Sequence, residues 1–472
     1  MQTAQSRKNK ILLSDYDYES DIKYRLVMEK LSPFQIEVLH EVLDNSLKFK
    51  VSDISDFLEV DKEDVLPVLD LLAETKLLVR DGEQIIVNKD KRRYFFSQIN
   101  RFGGTTDLEF FQGLLNQVPI HVLPVWYSVP RTSDDIFGSI VERHLETPRI
   151  YERYLNELSF EDETLTSIAQ DVFDASDLEI SIEELMEKYQ LSREALEEYL
   201  IELEYNLVCC VRYERDGDGW RGVTTPFQEW RDFLKFQNDH APVALTEEEA
   251  DSLLRKHVDD FGFIRDVNEI ITLLEQGPVN MVEREGKLCI GDPAVKTLIQ
   301  KHVPEQFLCD HLCNITFILK LLNIVEFIDG KCHIRPESAE QWKEKPIQEQ
   351  AMTVYLYSLN HYRDLHGDDG FTDRDIREIE KSLKRVLYSG WVYIDDFIKG
   401  MTAPIKTSEA VALNKKGKHW HYTIPQYTQE EKAFIIKTLV NRLFNAGMVA
   451  VGLYQNRYCF IVTPFGRMSL GD

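Results

Sequence analysis

Apolar residues recur along the first hundred positions with the spacing of three short helices and a β-hairpin. Ser32 and Pro33 suit the N-cap and first turn of a helix, whose apolar side is formed by Phe34, Ile36, Val38, Leu39 and Val42. A short second helix is predicted from Ser52 and a third from Asp61. Asp81 and Gly82 then predict a tight turn between two strands. This is the order of a winged helix, and we assign it to residues 29–102.

The same order of elements recurs further along the chain. Helices are predicted at 160–173, 182–189 and 193–205, and a hairpin that turns at 216–219 follows them. Shorter hairpins are predicted at 279–290 and 325–334, with turns at 285–286 and 329–330, and a last one at 448–462. Because the spacing is irregular, the repetition predicts an array of related modules rather than a regular solenoid.

These patterns predict an α+β fold that is mostly helical and consists of tandem winged-helix modules. We expect an N-terminal tail at 1–28, a first winged helix at 29–102, a connector at 103–159, a second winged helix at 160–236, helical and hairpin modules at 237–346, and a C-terminal winged-helix module at 347–472. Four prolines interrupt the connector, where 122–129 is expected to be extended. Exposed loops are expected at 367–370 and 402–418.

Charge divides the chain into two parts with different expected partners. The net charge is −26, but residues 371–472 carry 15 Lys and Arg against 10 Asp and Glu, a net of +5. The remaining residues, 1–370, therefore carry −31. A strongly acidic surface repels a nucleic acid, so we expect the acidic modules to bind protein and residues 371–472 to contact DNA.

Cysteine usage and hydropathy predict a cytoplasmic protein without a membrane association. Seven scattered cysteines are typical of reduced, mostly buried thiols rather than of a disulfide framework. No apolar stretch of a secretory signal follows the first ten residues. The longest apolar run, 317–328, contains Lys320 and Glu326 and is too short to cross a bilayer.

Two motifs that could hold a ligand are better explained by structure. Residues 217–222 match G-x-G-x-x-G, but a strand follows them where a dinucleotide site needs a helix, so we predict a hairpin tip. One cluster could bind zinc: Cys309, His311, Cys313, Cys332 and His333. Its apolar surroundings favour buried thiols and no metal.

No catalytic pattern is recognisable in the sequence. The chain contains no phosphate-binding G-x-x-x-x-G-K-[ST] motif and no G-x-S-x-G nucleophile elbow. We therefore expect a non-enzymatic protein with no cofactor and no small-molecule substrate.

Residues 371–472 resemble the winged-helix region that accompanies XPB-type helicases. The matching positions are Gly390, Trp391, Gly447, Gly452, Thr463, Pro464, Gly466 and Arg467. The resemblance implies a winged-helix fold that works near DNA-processing machinery. It extends only loosely to the modules before residue 371, and no helicase motor accompanies it, so the chain is not expected to be an ATP-driven helicase.

The third helix of a winged helix usually enters the major groove, so its charge bears directly on DNA binding. In the first module it carries Glu63, Asp64, Asp70 and Glu74 against Lys62 alone. In the second module five glutamates between 193 and 205 oppose Arg193. Both helices would repel phosphate.

The C-terminal module offers the candidate DNA-binding residues. On its long helix, Lys437, Thr438, Asn441, Arg442 and Asn445 fall on one polar strip. The preceding loop contributes Lys415, Lys416, Lys418 and Trp420. Lysines suit phosphates and Asn441 a base edge, whereas Trp420 either stacks on a base or, as we favour, anchors the loop. The alternative for the strip is a solvated helix face.

The leading hypothesis is therefore a nucleic-acid-associated accessory protein of transcription or DNA-repair type, which contacts DNA through its basic C-terminal winged helix. The alternative is an acidic winged-helix scaffold for protein–protein interaction, with no direct DNA binding.

Overall fold

A computed structural model describes residues 7–284, 287–360, 370–406, 408–417 and 419–471. The fold is α+β and mostly helical, with small sheets whose strands are mainly antiparallel, as the sequence predicts. The chain divides into two compact units. One comprises Met1–Lys235 with Ala412–Thr423, and the other comprises Phe236–Val411 with Ile424–Asp472.

The segment predicted as an N-terminal tail contains a packed helix. Strand β1 (Arg7–Lys8) and a 3-10 turn at Leu13–Asp15 precede α1 (Tyr18–Glu29). The buried side of α1 includes Asp21 and Arg25 beside Ile22 and Met28. Because half of these buried positions are charged, apolar periodicity did not reveal the helix.

The three helices and the hairpin predicted for residues 29–102 are present: α2 (Pro33–Asp44), α3 (Val51–Leu58), α4 (Lys62–Glu74), β3 (Leu78–Asp81) and β4 (Gln84–Val87). The short strand β2 (Lys48–Lys50) was not predicted. Ser32 and Gln35 form a reciprocal capping box at the start of α2, with Pro33 in its first turn. The strands form one sheet in the order β2–β4–β3, whose inner face closes the core against the helices.

The predicted connector is helical over much of its length. It follows α5 (Lys89–Gln98) and a 3-10 turn at Ile99–Arg101. It holds α6 (Leu108–Leu115), α7 (Leu123–Trp126), α8 (Ile136–His144), α9 (Pro148–Glu157) and β5 (Leu158–Ser159), which pairs with β1. The expectation of an extended segment at 122–129 is wrong. Pro124 and Pro148 lie in the first turns of helices, where a missing N–H costs nothing.

Residues 163–225 repeat the helix lengths and the order of elements of residues 33–87, and we call these two segments the second and the first repeat. The elements are α10 (Glu163–Asp174), β6 (Ile180–Ser181), α11 (Ile182–Tyr189), α12 (Arg193–Tyr205), β7 (Cys210–Asp216) and β8 (Gly219–Thr225). Helices α3 and α11 both have 8 residues, and α4 and α12 both have 13. Glu59 and Gln190 end the shorter helices with the same left-handed backbone, at φ of 55° and 53°. Helix α13 (Gln228–Asp239) follows β8.

Two hairpins form a single sheet in the second unit. The first part of the unit contains α14 (Glu247–Asp251), β9 (Leu254–Arg255), α15 (Gly262–Leu274), β10 (Val279–Arg284), β11 (Lys287–Ile290), α16 (Pro293–Ile299), α17 (Glu305–Leu321), β12 (Val325–Ile328), β13 (Lys331–Ile334), α18 (Pro336–Lys343) and α19 (Ile347–Asn360). The sheet order is β11–β10–β13–β12. The turn predicted at 285–286 and most of the loop predicted at 367–370 lie outside the described residues.

The C-terminal segment contains the predicted long helix and final hairpin. Its elements are α20 (Asp373–Ser382), a 3-10 turn at Leu383–Val386, β14 (Val392–Tyr393), α21 (Ile394–Lys399), β15 (Leu413–Lys416), β16 (His419–Tyr422), α22 (Gln429–Lys437), a π-helix at Thr438–Leu443, β17 (Val449–Tyr454), β18 (Arg457–Val462) and α23 (Pro464–Leu470). Strands β14, β18, β17 and β9 form one sheet in that order, and β15 and β16 form a separate two-stranded sheet.

A left-handed residue stands between a helix and a hairpin at four places. Lys76, Leu207, Asn323 and Gly447 have φ of 62°, 60°, 57° and 67°. Only one of the four is glycine, although other residues adopt this conformation at a cost. The recurrence indicates that the same turn connects helix and hairpin at these four places.

A buried ion cluster joins α12 to the segments on either side of residues 33–87. Arg25 of α1 lies 2.9 Å from Glu204 and 3.2 Å from Glu197 of α12, and its Nε donates to Asp21 at 2.9 Å. Arg101 donates to the same Glu204 at 2.7 Å. These five side chains are at most 3% exposed. Burial by itself would raise the pKa of Asp21, but the charge of Arg25 and its hydrogen bond hold that pKa below the usual value.

We expect Arg25→Met to destabilise the first unit by about 3–5 kcal/mol, because Glu197 and Glu204 would keep their buried charges without this partner. Urea unfolding followed by circular dichroism measures the change. Arg80→Met is the control, since Arg80 pairs with the half-exposed Asp70, and it should cost less than about 1 kcal/mol. Equal losses in the two variants would contradict the importance of the buried cluster.

Candidate functional site

The predicted basic loop is a hairpin of the first unit. Strands β15 and β16 pair Lys415 with Trp420 and Lys416 with His419. The expectation of an exposed loop at 402–418 is therefore wrong for 413–416, and Ala403 and Ile405 are buried. Lys418 lies outside the described residues. Lys415 and Lys416 are both exposed, so two of the three predicted lysines are available to a partner.

The hairpin is held by contacts with residues of the α6–α9 segment. The hydroxyl of Tyr422 donates to the carbonyl of Leu145 at 2.8 Å, and His419 Nδ1 lies 3.0 Å from a carboxylate oxygen of Asp107. The ring of Trp420 packs edge-on against Phe137, with centroids 6.1 Å apart. Trp420 is half-buried, and Lys415 Nζ lies 5.6 Å from its ring centroid. These contacts favour the anchoring role for Trp420 over base stacking.

The polar strip predicted on the last long helix is not a continuous exposed surface. Thr438 and Asn445 are buried at 4% and 6% exposure. Asn441 accepts a hydrogen bond from Lys256 at 3.2 Å, and Arg442 donates to the carbonyl of Ser358 at 2.6 Å. Lys437 remains exposed. The prediction of a solvent-facing strip fails because chain segments distant in sequence cover the polar side of the helix as well as its apolar side.

Lys256 is a buried residue that the sequence pattern did not reveal. It is 1% exposed, and its Nζ donates to the carbonyl of Val440 at 2.9 Å, within the π-helix. The same Nζ lies 4.4 Å from the ring centroid of Phe444. Burial lowers the pKa of Lys256 to about 7. A π-helix departs from the regular α-helical hydrogen-bond ladder, and here one of its carbonyl groups accepts the hydrogen bond of Lys256.

A second buried group lies in the same unit. His311 Nε2 is 2.7 Å from Asp266 Oδ2, and His257 Nε2 is 3.7 Å from the same oxygen. Burial favours a raised pKa for Asp266, but its histidine partners outweigh that effect and lower the pKa. Burial lowers the pKa of His311. Asp266 and His311 are at most 1% exposed and His257 is 6% exposed, so this group is closed to solvent.

The cysteines differ from the expectation of free thiols. Cys289 of β11 and Cys313 of α17 form a disulfide, which ties the sheet of the second unit to its long helix. Five other cysteines among the described residues form no disulfide: Cys209, Cys210, Cys309, Cys332 and Cys459. Cysteine usage therefore no longer supports a reducing compartment, because lasting disulfides are typical of oxidising ones.

The proposed ligand motifs have structural explanations. Gly217, at φ 58°, lies in the turn between β7 and β8, which confirms the hairpin-tip interpretation of residues 217–222. Cys313 is bonded to Cys289 and therefore cannot bind zinc. Over the part of the chain that the structure describes, no three or more His, Cys, Asp or Glu side chains are arranged to hold a metal ion.

The third helices of the first two repeats have opposite environments. Helix α4 exposes Glu63, Asp64, Asp70 and Glu74. Helix α12 buries Glu197 and Glu204 in the ion cluster, together with most of its apolar side. The first repeat therefore presents an acidic helix to solvent, while the second repeat uses its equivalent helix as a core element.

Comparisons with known proteins return no relative: no family model, curated protein or solved structure matches the chain. Within the described residues, none of the helices has both the length and the apolar character that a bilayer crossing requires.

Lys256 should make the stability of the second unit depend on pH. Its pKa is about 7 in the folded protein and 10.5 when unperturbed, so between these values the unfolded chain binds more protons. The free energy of unfolding therefore rises with pH in this window, by up to about 1.4 kcal/mol per unit. We expect Lys256→Met to remove this rise in urea unfolding measured from pH 7 to 10. Lys301→Met, at an exposed lysine, is the control. Parallel wild-type and Lys256→Met curves would contradict the assignment.

Replacing Cys289 with Ala should lower the free energy of unfolding by about 3 kcal/mol in the absence of reductant, given the 24-residue separation of the bonded pair. Dithiothreitol should lower the stability of the wild type but leave the variant unchanged. Cys309→Ala, at a cysteine outside the disulfide, should retain the response to reductant. Alkylation of all seven cysteines in unreduced, denatured protein, detected by mass spectrometry, would contradict the disulfide.

Proposed function

We propose that this chain is a non-enzymatic scaffold of tandem winged-helix modules, which binds other proteins through its acidic surfaces. The order of elements supports the modular part of this proposal. A helix, a short strand, two further helices and a hairpin occur in that order at 33–87 and at 163–225. The same order occurs at 373–462, where β15 and β16 are inserted before the last helix.

The surroundings of the third helices carry the functional part of the proposal. A winged helix that reads DNA presents this helix, usually cationic, to the major groove. Here α4 is exposed but acidic, and α12 is largely buried. In the C-terminal repeat, Asn441 and Arg442 make hydrogen bonds within the protein, and Thr438 and Asn445 are buried. These features favour protein contacts over duplex contacts.

The burial of Asp266, His257 and His311 supports the non-enzymatic part of the proposal. A catalytic acid or base has to reach its substrate within hydrogen-bond distance. Asp266 and His311 are shielded from solvent, and Lys256 donates to the protein's own carbonyl and amide oxygens. A structural role explains these residues without a substrate.

A second candidate function is favoured by one observation, the exposure of Lys415 and Lys416 on a hairpin. A hairpin that exposes two lysines is suited to contacts with DNA phosphates. With the resemblance to the region that accompanies XPB-type helicases, this supports an accessory role on DNA, of transcription or repair type, as the alternative proposal.

The two proposals differ in the expected affinity for DNA. We expect the full chain to show no measurable binding to a short fluorescent duplex at physiological salt, because its net charge is −26. Fluorescence anisotropy over a range of salt concentrations tests this. If the hairpin binds phosphates, Lys415→Ala/Lys416→Ala should reduce the log–log salt slope by about 2. Binding with that slope change would favour the DNA proposal over the scaffold.

A further inference from the structure

The first repeat contains an open groove that the fold leaves uncovered. It runs from the turn between α3 and α4 to the start of α2. Its two ends, of about 570 and 470 Å³, share Val60 and Asp64 as lining residues. The groove lies beside the first turn of α4.

The groove is mixed in character at one end and acidic at the other. At the end nearer α2, the apolar side chains of Phe34, Val60, Pro67 and Val68 line it together with Ser32, Gln35 and Asp64. At the other end the lining consists of carboxylates and small polar groups, with Asp56, Glu59 and Asp61 beside Asp64. Such a division suits a ligand that has both an apolar side chain and positive charges.

The carboxylates of the groove have no salt-bridge partner among the described residues. The neighbouring cation, Lys62, forms its ion pair with Glu83 at 2.8 Å, outside the groove lining. Asp61 occupies the N-cap position of α4, but its side chain makes no capping hydrogen bond. Coulombic attraction also acts between Lys62 and Asp56. Glu59, Asp61 and Asp64 form no ion pair among the described residues, so the groove keeps a net negative charge.

An exposed aromatic residue lies on the helix that contributes the acidic part. Phe57 of α3 is 68% exposed and follows Asp56 directly in the sequence. Exposed aromatic rings beside carboxylates suit guanidinium groups, which stack on the ring and make paired hydrogen bonds to the carboxylate.

We propose that this groove binds a basic segment of a partner protein, with an apolar side chain against Val60 and Phe34 and arginine or lysine side chains on Asp56, Glu59, Asp61 and Asp64. The proposal rests on the proposed scaffold function and names the chemistry of its partner. Charge complementarity selects this occupant. A nucleic acid would be repelled by the same carboxylates, and the described side chains do not form a metal site.

The test uses the full chain and a set of short fluorescent peptides that carry several arginines around a central leucine, with matched peptides in which serine replaces the leucine. Fluorescence anisotropy at physiological salt gives the dissociation constants. We expect the leucine peptides to bind and the serine peptides to bind at least about fivefold more weakly, because the apolar contact is lost.

The variant D56K/E59K tests the acidic part of the groove. Both positions are exposed at the C-terminal end of α3, where lysine suits the helix dipole, so the fold should tolerate the change. We expect the dissociation constant to rise at least about tenfold. Phe57→Ala, which changes no charge, should weaken binding by about threefold or more.

The matched control is E187K/E198K in the second repeat, which alters the net charge by the same amount. Glu187 occupies in α11 the sixth position, which Asp56 occupies in α3, and both control residues are exposed. This control should change the dissociation constant by less than about twofold.

Three results would overturn the groove assignment: no binding of any leucine peptide, equal losses in D56K/E59K and E187K/E198K, or equal binding of leucine and serine peptides. Duplex binding by the wild type, measured in parallel, would instead contradict the scaffold function itself. The two failures are therefore distinguishable.

Discussion

The buried cluster around Arg25 and Glu204 is the interaction on which the first unit depends. Moving several charges out of water is costly, and the cost is offset only when every charge keeps its partners. Arg25 comes from α1, Arg101 from the turn after α5, and Glu204 from α12, so the cluster requires these three segments to meet. It therefore determines that the third helix of the second repeat is an interior element.

The repeats share their local signals but not their surroundings. Helices of 8 and 13 residues, joined through a left-handed residue, occur in both repeats of the first unit. Helix α4 faces solvent with acidic side chains, whereas α12 is covered by α1. In the second unit, the π-helix that follows α22 accepts a hydrogen bond from Lys256. The same order of helices and strands thus places the third helix at the surface in one repeat and in the interior in the others.

Sequence reasoning correctly placed only some of the candidate DNA-binding residues at the surface. Lys415, Lys416 and Lys437 are exposed as expected, because lysine in a polar segment seldom finds a buried place. Asn441 and Arg442 were assigned to the same surface by helical periodicity, which reports the angle around one helix and not what packs against each side. Lys256 and its contact with Val440 join positions 184 residues apart, and no local pattern encodes that pairing.

By itself the sequence determined where the helices and hairpins of residues 33–87 and 163–225 begin and end. Ser32, Ser181, Ser192 and Thr428 accept hydrogen bonds from backbone N–H groups at helix starts, and such caps act over a few residues. Tertiary structure decided which charged residues are buried, since Asp21 and Arg25 form a packed helix where the pattern predicts a tail. It also decided that Cys289 and Cys313 are bonded and that the polar strip is covered. Burial and pairing of this kind depend on segments far apart in the chain, which approach one another only in the folded protein.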